Sequence, residues 1–175
     1  GTIIKDYPDE KWREIKEPEF LEGSIEGLKR LKEMGYDFII ITNQYLINDG
    51  IISLNDYQQF TGKFLKKLKE DKIIDVYNIR IYLVHDISKV SIDLKEENID
   101  ILKIYFCPHN EKDHCHCKKP KPGMIEQAKK DFLIDMNNSI YIGDSQVDYL
   151  LAKHFNLTFY GINYNGDNVK SYRSI

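Results

Sequence analysis

Cys107-Pro108-His109 is followed, five residues later, by Cys115-His116-Cys117. Three thiols and an imidazole in so short a stretch offer the soft sulfur and nitrogen donors that tetrahedral zinc prefers. Binding would also contribute folding free energy to a loop with little core of its own. Four protein ligands, Cys107, His109, Cys115 and Cys117, close the coordination sphere, so the site expected is structural and has no open position to activate water. His114 and His116 are alternative donors. His109 is preferred because it pairs with Cys107 across one residue, as Cys115 pairs with Cys117. The competing reading is a set of reduced cysteines that happen to lie close together.

Directly after the last cysteine, Lys118-Lys119-Pro120-Lys121-Pro122-Gly123-Met124 forms a basic turn running into a helix start. A helix N-terminus with ammonium groups beside it favours an anion such as phosphate. Such lysines are ordinarily solvated surface, but a rigid metal loop next to them can hold their charge in a fixed place. Ile140-Tyr141-Ile142-Gly143-Asp144-Ser145-Gln146-Val147-Asp148 reads as a strand delivering two carboxylates to its C-terminal end, where ligands bind in doubly wound sheets. Asp144 and Asp148 are four apart and could share a hard cation such as Mg²⁺. The blander reading is a helix cap and an exposed first-turn acid. Ile41-Thr42-Asn43-Gln44 is built alike, and alone it would pass for an ordinary polar strand end. Together, a hydroxyl, a lysine and paired carboxylates at strand ends are what phosphoryl transfer requires, apart from a nucleophile.

The elements that must position these groups belong to one domain, judged from 175 residues, 42% apolar content and a net charge of −3. Three cysteines, an odd number in one cluster, argue against a disulfide framework and for reduced thiols in a cytoplasmic setting. No apolar run exceeds four residues and the N-terminal stretch lacks a signal layout, so neither membrane insertion nor secretion is expected. With 25 basic and 28 acidic residues interspersed, no broad cationic field exists to hold nucleic acid. An anionic ligand has to be bound locally.

Ser24 is placed to cap a helix carrying Ile25, Leu28, Leu31 and Met34, with Gly35 ending it in a left-handed turn. Phe38 to Ile41 is a short run apolar on both faces, like a buried parallel strand. Ser53 begins a second helix through Leu68, and Ile79 to Val84 and Ile101 to Phe106 are the next strand candidates. Pro122-Gly123 opens a helix to about Phe132. Ser139 to Ile142 and Leu157 to Ile162 read as strands flanking a helix over 147–154. The alternation predicts an α/β fold: a mostly parallel sheet with helices on both faces. The stretch 74–100, with one strand candidate and a polar tail, reads as an elaboration. A weak echo of Leu68 to Ile73 in Leu94 to Ile99 reads as chance. The opening Gly1-Thr2 has the look of a loop that follows a strand, so an upstream strand is expected.

Through Gly1-Thr2-Ile3, Phe20-Leu21-Glu22-Gly23, Ile41 to Gln44, Cys107 to His109, Cys115 to Met124, and Gly143-Asp144 with Asp148, the sequence resembles the haloacid dehalogenase superfamily. Within it, the likeness is to the zinc-loop phosphatases that act on D-glycero-D-manno-heptose 1,7-bisphosphate or on histidinol phosphate. The resemblance implies a single Rossmann-like domain over 1–175 without a large cap, the zinc loop partly taking a cap's place. Members open with Asp-x-Asp-Gly-Thr, whose first aspartate attacks phosphorus and whose second protonates the leaving group. Here only Gly1-Thr2 remains, so the pair and its strand are expected upstream of residue 1, and the chain as written is expected to be inactive.

Carried over by position, Thr42 would hydrogen-bond the phosphoryl group, and Asn43 would support that loop or contact substrate. Lys119 would neutralise phosphoryl charge, and Lys118 would contact substrate. Asp144 would bind Mg²⁺ with Asp148 as co-ligand or support. The implied activity is Mg²⁺-dependent hydrolysis of a small phosphorylated metabolite, foremost heptose bisphosphate. The alternatives are histidinol phosphate, or a catalytically dead zinc-bearing module that binds phosphometabolites or a protein. A nucleic-acid 3′-phosphatase fits less well, because no Arg-rich or aromatic-interleaved stretch is present. Asp6, Tyr7 and Trp12 fall where a specificity loop would follow the first strand, and they read equally as loop packing.

Overall fold

The computed structural model describes residues 1–71, 79–81, 91–94, 101–166, 169–173 and 175. In chain order the elements are α1 (Ser24–Glu33), β1 (Phe38–Asn43), α2 (Leu54–Glu70), β2 (Ile79–Ile81), β3 (Ser91–Leu94) and β4 (Ile101–Cys107). There follow α3 (Gly123–Asp131), β5 (Ile140–Gly143), α4 (Gln146–His154), β6 (Thr158–Ile162) and β7 (Ser171–Tyr172). Among the described residues no helix is long and apolar enough to cross a membrane.

The α/β architecture follows from the two-residue side-chain period of the central strands. β1 runs parallel to β4, with Ile40 opposite Ile104 and Asn43 opposite Cys107. Ile40 and Ile104 point to one face, where they meet Leu28 of α1 and Phe64, Leu65 and Leu68 of α2. Ile39, Ile41, Tyr105 and Cys107 point to the other, against Met124 and Ala128 of α3. Helices thus cover both faces, which is why these strands read as unbroken apolar runs. The α2 helix is started by a capping box: Ser53 Oγ accepts from the Asp56 amide at 3.0 Å, and the Asp56 carboxylate accepts from the Ser53 amide at 3.0 Å. Lys103, buried on β4, is compensated by Asp131 at 2.8 Å, which also accepts from Tyr105 Oη at 2.7 Å.

Several expectations shift. Gly23, with φ of 79°, is the N-cap of α1, and Ser24 is the first helical residue, fully buried. Its Oγ has no hydrogen-bond partner among the described residues, so it caps nothing. Gly35 does close the turn with φ of 86°, but Met34 stands 70% exposed at the helix end, so the three-residue apolar spacing runs out one step before it. The elaboration holds two strands where one was expected. β3 pairs antiparallel with both β2 and β4, while β1·β4, β5·β6 and β6·β7 are parallel. Ser91-Ile92-Asp93-Leu94 alternates polar with apolar, a pattern too short to separate from a polar tail. Of the Ile79 to Val84 candidate, 82–84 lie outside the described residues, as does most of the 94–99 echo.

The strands form two sheets, ordered β1-β4-β3-β2 and β5-β6-β7. β1 and β5 are each the last strand of their sheet, and a cavity of about 670 Å³ touches Ile39, Ile40 and Ile41 of the one and Ile140, Tyr141 and Ile142 of the other. Consecutive residues point to opposite faces of a strand, so a cavity touching all of them abuts the strand's edge.

Truncating Leu68, which is 0% exposed, removes packing from the α1–α2 layer. Leu68→Ala in the full-length polypeptide is expected to cost about 2–5 kcal/mol in urea denaturation. An unchanged midpoint would mean that the layer does not close around this side chain.

Candidate active site

Most of the polar residues singled out in the sequence line that cavity, while Asn43 and Lys118 do not. Thr42, Gln44, Lys119, Asp144 and Asp148 all line it, together with Gly1 and Thr2. Three elements supply them: the end of β1, the turn before α3, and the β5–α4 junction. Parallel pairing within each sheet brings strand C-termini to a common edge, which is why residues far apart in sequence meet here.

Lys119 is the most tightly held of these groups. Its ammonium donates to Asp148 Oδ1 at 2.6 Å and to the Ile41 carbonyl at 3.2 Å, and both charged side chains are nearly enclosed, 11% and 4% exposed. Its backbone is gripped by Asn43, which accepts from the Lys119 amide at 2.9 Å and donates through Nδ2 to the Lys119 carbonyl at 3.3 Å. Of the two roles offered for Asn43, these bonds make the first, support of the loop.

Asp148 accepts from three side chains: Lys119, Tyr141 Oη at 3.0 Å and Ser145 Oγ at 2.5 Å. Burial works against its charge, but the Lys119 ammonium and these hydrogen bonds outweigh it and hold the carboxyl below its ordinary 3.8. Burial and the neighbouring carboxylate push the Tyr141 hydroxyl up, so it stays a proton donor. Gly143 makes room for this arrangement. A methyl group there would come within 2.5 Å of Asp148 Cβ. Asp144 is more open, 32% exposed, and accepts from Thr2 Oγ1 at 2.7 Å, with the Gly1 nitrogen 3.7 Å from its Oδ2. The two carboxylates therefore face different partners. Thr42 Oγ1 accepts from Gln44 Nε2 at 3.0 Å, and its own hydroxyl makes only a long 3.4 Å contact to the Asn43 carbonyl.

Behind the site, the ligand atoms of Cys107, His109, Cys115 and Cys117 all lie within 4.8 Å of one another. Cys107 Sγ is 3.6 Å from Cys115 Sγ and 3.0 Å from Cys117 Sγ, and His109 Nδ1 is 3.4 and 3.2 Å from Cys107 and Cys117. A tetrahedron with bonds of about 2.3 Å has edges of about 3.8 Å, so these donors need only small outward shifts to accept a metal. The hydrogen bond to Cys107, with help from His109, holds the Cys117 thiol well below its ordinary value, toward the thiolate that ligates metals. His116 turns elsewhere, to Glu126 at 2.8 Å, and is not part of the cluster.

Three contributors escaped sequence reasoning. Tyr141 and Ser145 lie within the quoted motif, but only the fold shows that both hydroxyls point at Asp148. Tyr45 follows the strand-end motif directly and stacks beneath the Lys118 ammonium, 4.9 Å from its ring centroid.

Because Asp148 is titrated below its unfolded value, the stability it contributes is present above about pH 4 and is lost as pH falls through the folded pKa. Asp148→Asn is expected to destabilise the full-length polypeptide by about 3–5 kcal/mol, since the Lys119 charge would remain buried without its counter-ion. Urea melts as a function of pH check both points: the variant should also lose part of the acid-side slope. Equal stability would detach Asp148 from Lys119.

Comparison with known proteins accords with this geometry. A family model described as polynucleotide kinase 3 phosphatase matches residues 1–159. The D-glycero-alpha-D-manno-heptose-1,7-bisphosphate 7-phosphatase of Photorhabdus laumondii is 37% identical over 142 residues, covering 77% of this chain and 63% of that protein. The D-glycero-beta-D-manno-heptose-1,7-bisphosphate 7-phosphatase of Pasteurella multocida is 33% identical over 146 residues, 80% of this chain and 65% of that protein. The chain thus spans a little under two thirds of the length of these relatives. The crystal structure of a D,D-heptose 1,7-bisphosphate phosphatase from B. bronchiseptica, complexed with magnesium and phosphate, superposes with a TM-score of 0.72. At 18% identity over 99% of this chain and 88% of that one, it speaks to the fold. A match over nearly the whole chain, on a fold that seats a lysine and two carboxylates at one strand edge, places this protein in the polynucleotide kinase 3 phosphatase family, among the heptose bisphosphate phosphatase-like members of the haloacid dehalogenase superfamily.

Proposed function

We propose that this chain belongs to a Mg²⁺-dependent phosphatase acting on a small phosphorylated sugar, foremost D-glycero-D-manno-heptose 1,7-bisphosphate, the substrate named for its relatives. The observation that carries the reading is the convergence of Thr42, Lys119 and Asp144 on one end of a single cavity, with the Lys119 ammonium already fixed by Asp148.

Each residue has a chemical task there. An ammonium group has three donors, and Lys119 spends two on Asp148 and Ile41, leaving one for a phosphoryl oxygen. Because Asp148 holds the ammonium in place, no reorganisation is needed as charge builds on phosphorus. The weakly engaged Thr42 hydroxyl turns to a second phosphoryl oxygen. Asp144 offers hard oxygens from an open position, the donor chemistry that Mg²⁺ selects, and Asp148 supports the site through Lys119. Bound Mg²⁺ would neutralise phosphoryl charge. An aspartate of the Asp-x-Asp pair upstream of Gly1 would form the P–O bond as the ester P–O bond breaks. Its neighbour would protonate the departing oxygen, and water would then release phosphate. Support for an upstream strand comes from the cavity itself: strands pair at about 4.8 Å, and among the described residues neither β1 nor β5 has a strand partner on the side bordering that space. On this reading 1–175 belong to one phosphatase domain whose first strand and Asp-x-Asp pair lie upstream.

Zinc fits the Cys107, His109, Cys115 and Cys117 cluster by donor type and spacing. Its role here is structural, since four protein ligands leave no place for a reactive water. Purified full-length protein is expected to carry about one zinc per chain by elemental analysis, and Cys117→Ser should lose most of it together with several degrees of melting temperature. Zinc retained at the same level would exclude the cluster.

The activity test is phosphate release by the full-length polypeptide with Mg²⁺, offering heptose bisphosphate, histidinol phosphate and a 3′-phosphorylated oligonucleotide in parallel. Heptose bisphosphate should be turned over fastest, and Lys119→Ala should lower kcat by about 10²-fold or more. Equal turnover by the variant would remove Lys119 from the mechanism, and a preference for either other substrate would overturn the sugar assignment.

A further inference from the structure

Lys118 and Lys119 are neighbours, yet their ammonium groups are held by different partners. Lys119 turns inward to Asp148, while Lys118 turns away from the cavity lining to an outer rim made with Glu111, 2.8 Å away, and Tyr45, whose ring centroid is 4.9 Å away. Two cations so separated make two anion seats. The inner one serves the phosphoryl group that is cleaved, and a substrate with two phosphates needs a second.

The rim seat is built from three loops tied to one another. Tyr45 Oη donates to both oxygens of Asp9 at 3.0 and 3.1 Å, and Arg13 donates to the carbonyls of Gly50 and Ile51 at 3.1 and 2.9 Å. Asn48 donates to Asp113 at 2.8 Å, and Asn110 donates to Asp49 at 2.9 Å, so the loop after β1 is also laced to the Cys/His loop. Tyr45 sits at the centre of this lacing. Burial, and then its bond to Asp9, raises its hydroxyl to about 12, so the ring remains neutral and its face remains an electron-rich platform under the cation. Glu111 is 85% exposed, whereas Lys118 is only 15% exposed. An ion pair with so solvated a carboxylate is weak and readily exchanged, whereas the aromatic face stays put when an incoming phosphate replaces Glu111.

We infer that Tyr45 is a positioning residue for substrate selection: its ring holds Lys118 at the rim so that the lysine takes the second phosphate of a bisphosphate. This rests on the sugar bisphosphate reading above and on Lys118 as a substrate contact.

The test compares D-glycero-D-manno-heptose 1,7-bisphosphate with the 7-monophosphate in the full-length polypeptide. Tyr45→Leu is expected to raise KM for the bisphosphate about 3- to 10-fold, the scale of one cation–π contact, with kcat and the monophosphate KM changed less than about 2-fold. Tyr45→Phe keeps the ring and should rescue the bisphosphate KM. Equal effects on both substrates, or Phe behaving as Leu does, would overturn the inference. Lys118→Ala separates the two layers: if it abolishes the bisphosphate preference and Tyr45→Leu does not, Tyr45 is wrong and the Lys118 contact stands. If Lys118→Ala keeps the preference, the contact itself is wrong. One readout needs neither turnover nor a folded variant. In the NMR spectrum of the wild-type protein, the ε-methylene protons of Lys118 should be shifted upfield by the ring and should move when the bisphosphate is titrated in. Unshifted or unmoving signals sink the proposal.

Discussion

A lysine ammonium and a carboxylate 2.6 Å apart, both nearly shut off from solvent, form the interaction on which the rest of the site depends. Taking two charges out of water is costly, and a well-packed apolar pair would often serve stability as well or better. What the ion pair supplies is location. Asp148 is satisfied by donors from three places: the turn before α3, strand β5, and the residue that precedes α4. Lys119 is in turn fastened at its backbone by Asn43 from the end of β1. The pair therefore joins the two sheets at the edge that Thr42 and Asp144 also line.

The Cys/His cluster lies on the other side of the same turn. Cys107 is the last residue of β4 and is fully buried, and Cys117 precedes Lys118 and Lys119 directly. The Gln44 amide donates to the Cys107 carbonyl at 2.6 Å, continuing the β1–β4 pairing past the strand ends. A lysine reaching into a site from a long loop would ordinarily carry about 2 kcal/mol of side-chain freedom and more in its backbone. Here the loop is closed by sulfur and imidazole on one side and stitched to β1 on the other. The ammonium is left with little to explore.

The features legible in the sequence were those whose signal is local. The ligand spacing of Cys107, His109, Cys115 and Cys117, the apolar runs of β1 and β4, and the serine at the start of α2 each encode their structure within a few residues. The four-residue separation of Asp144 and Asp148 suggested a shared cation, yet the partner that Asp148 meets is Lys119, 29 positions away. Nothing local could have supplied it. Lys103 and Asp131 show the same limit: only the packing of α3 on β4 brings a carboxylate to the buried lysine, 28 positions away. The strand β3 was missed because alternating polar and apolar residues carry little signal in only four positions. Tyr45 and Lys118 are 73 apart in number, and no periodicity joins them.

The cavity between β1 and β5 ties these observations to the chemistry. Among the described residues neither strand is paired on the side that borders it, and both end beside the polar cluster, in Thr42 and Asn43 on one side and Gly143 and Asp144 on the other. A polypeptide strand laid along both edges would meet main-chain donors and acceptors on each side. Its C-terminal end would emerge beside Asp144, where Gly1 and Thr2 already sit. Lys119 reaches the same end of the space from the turn before α3, held there by Asp148 and the Ile41 carbonyl.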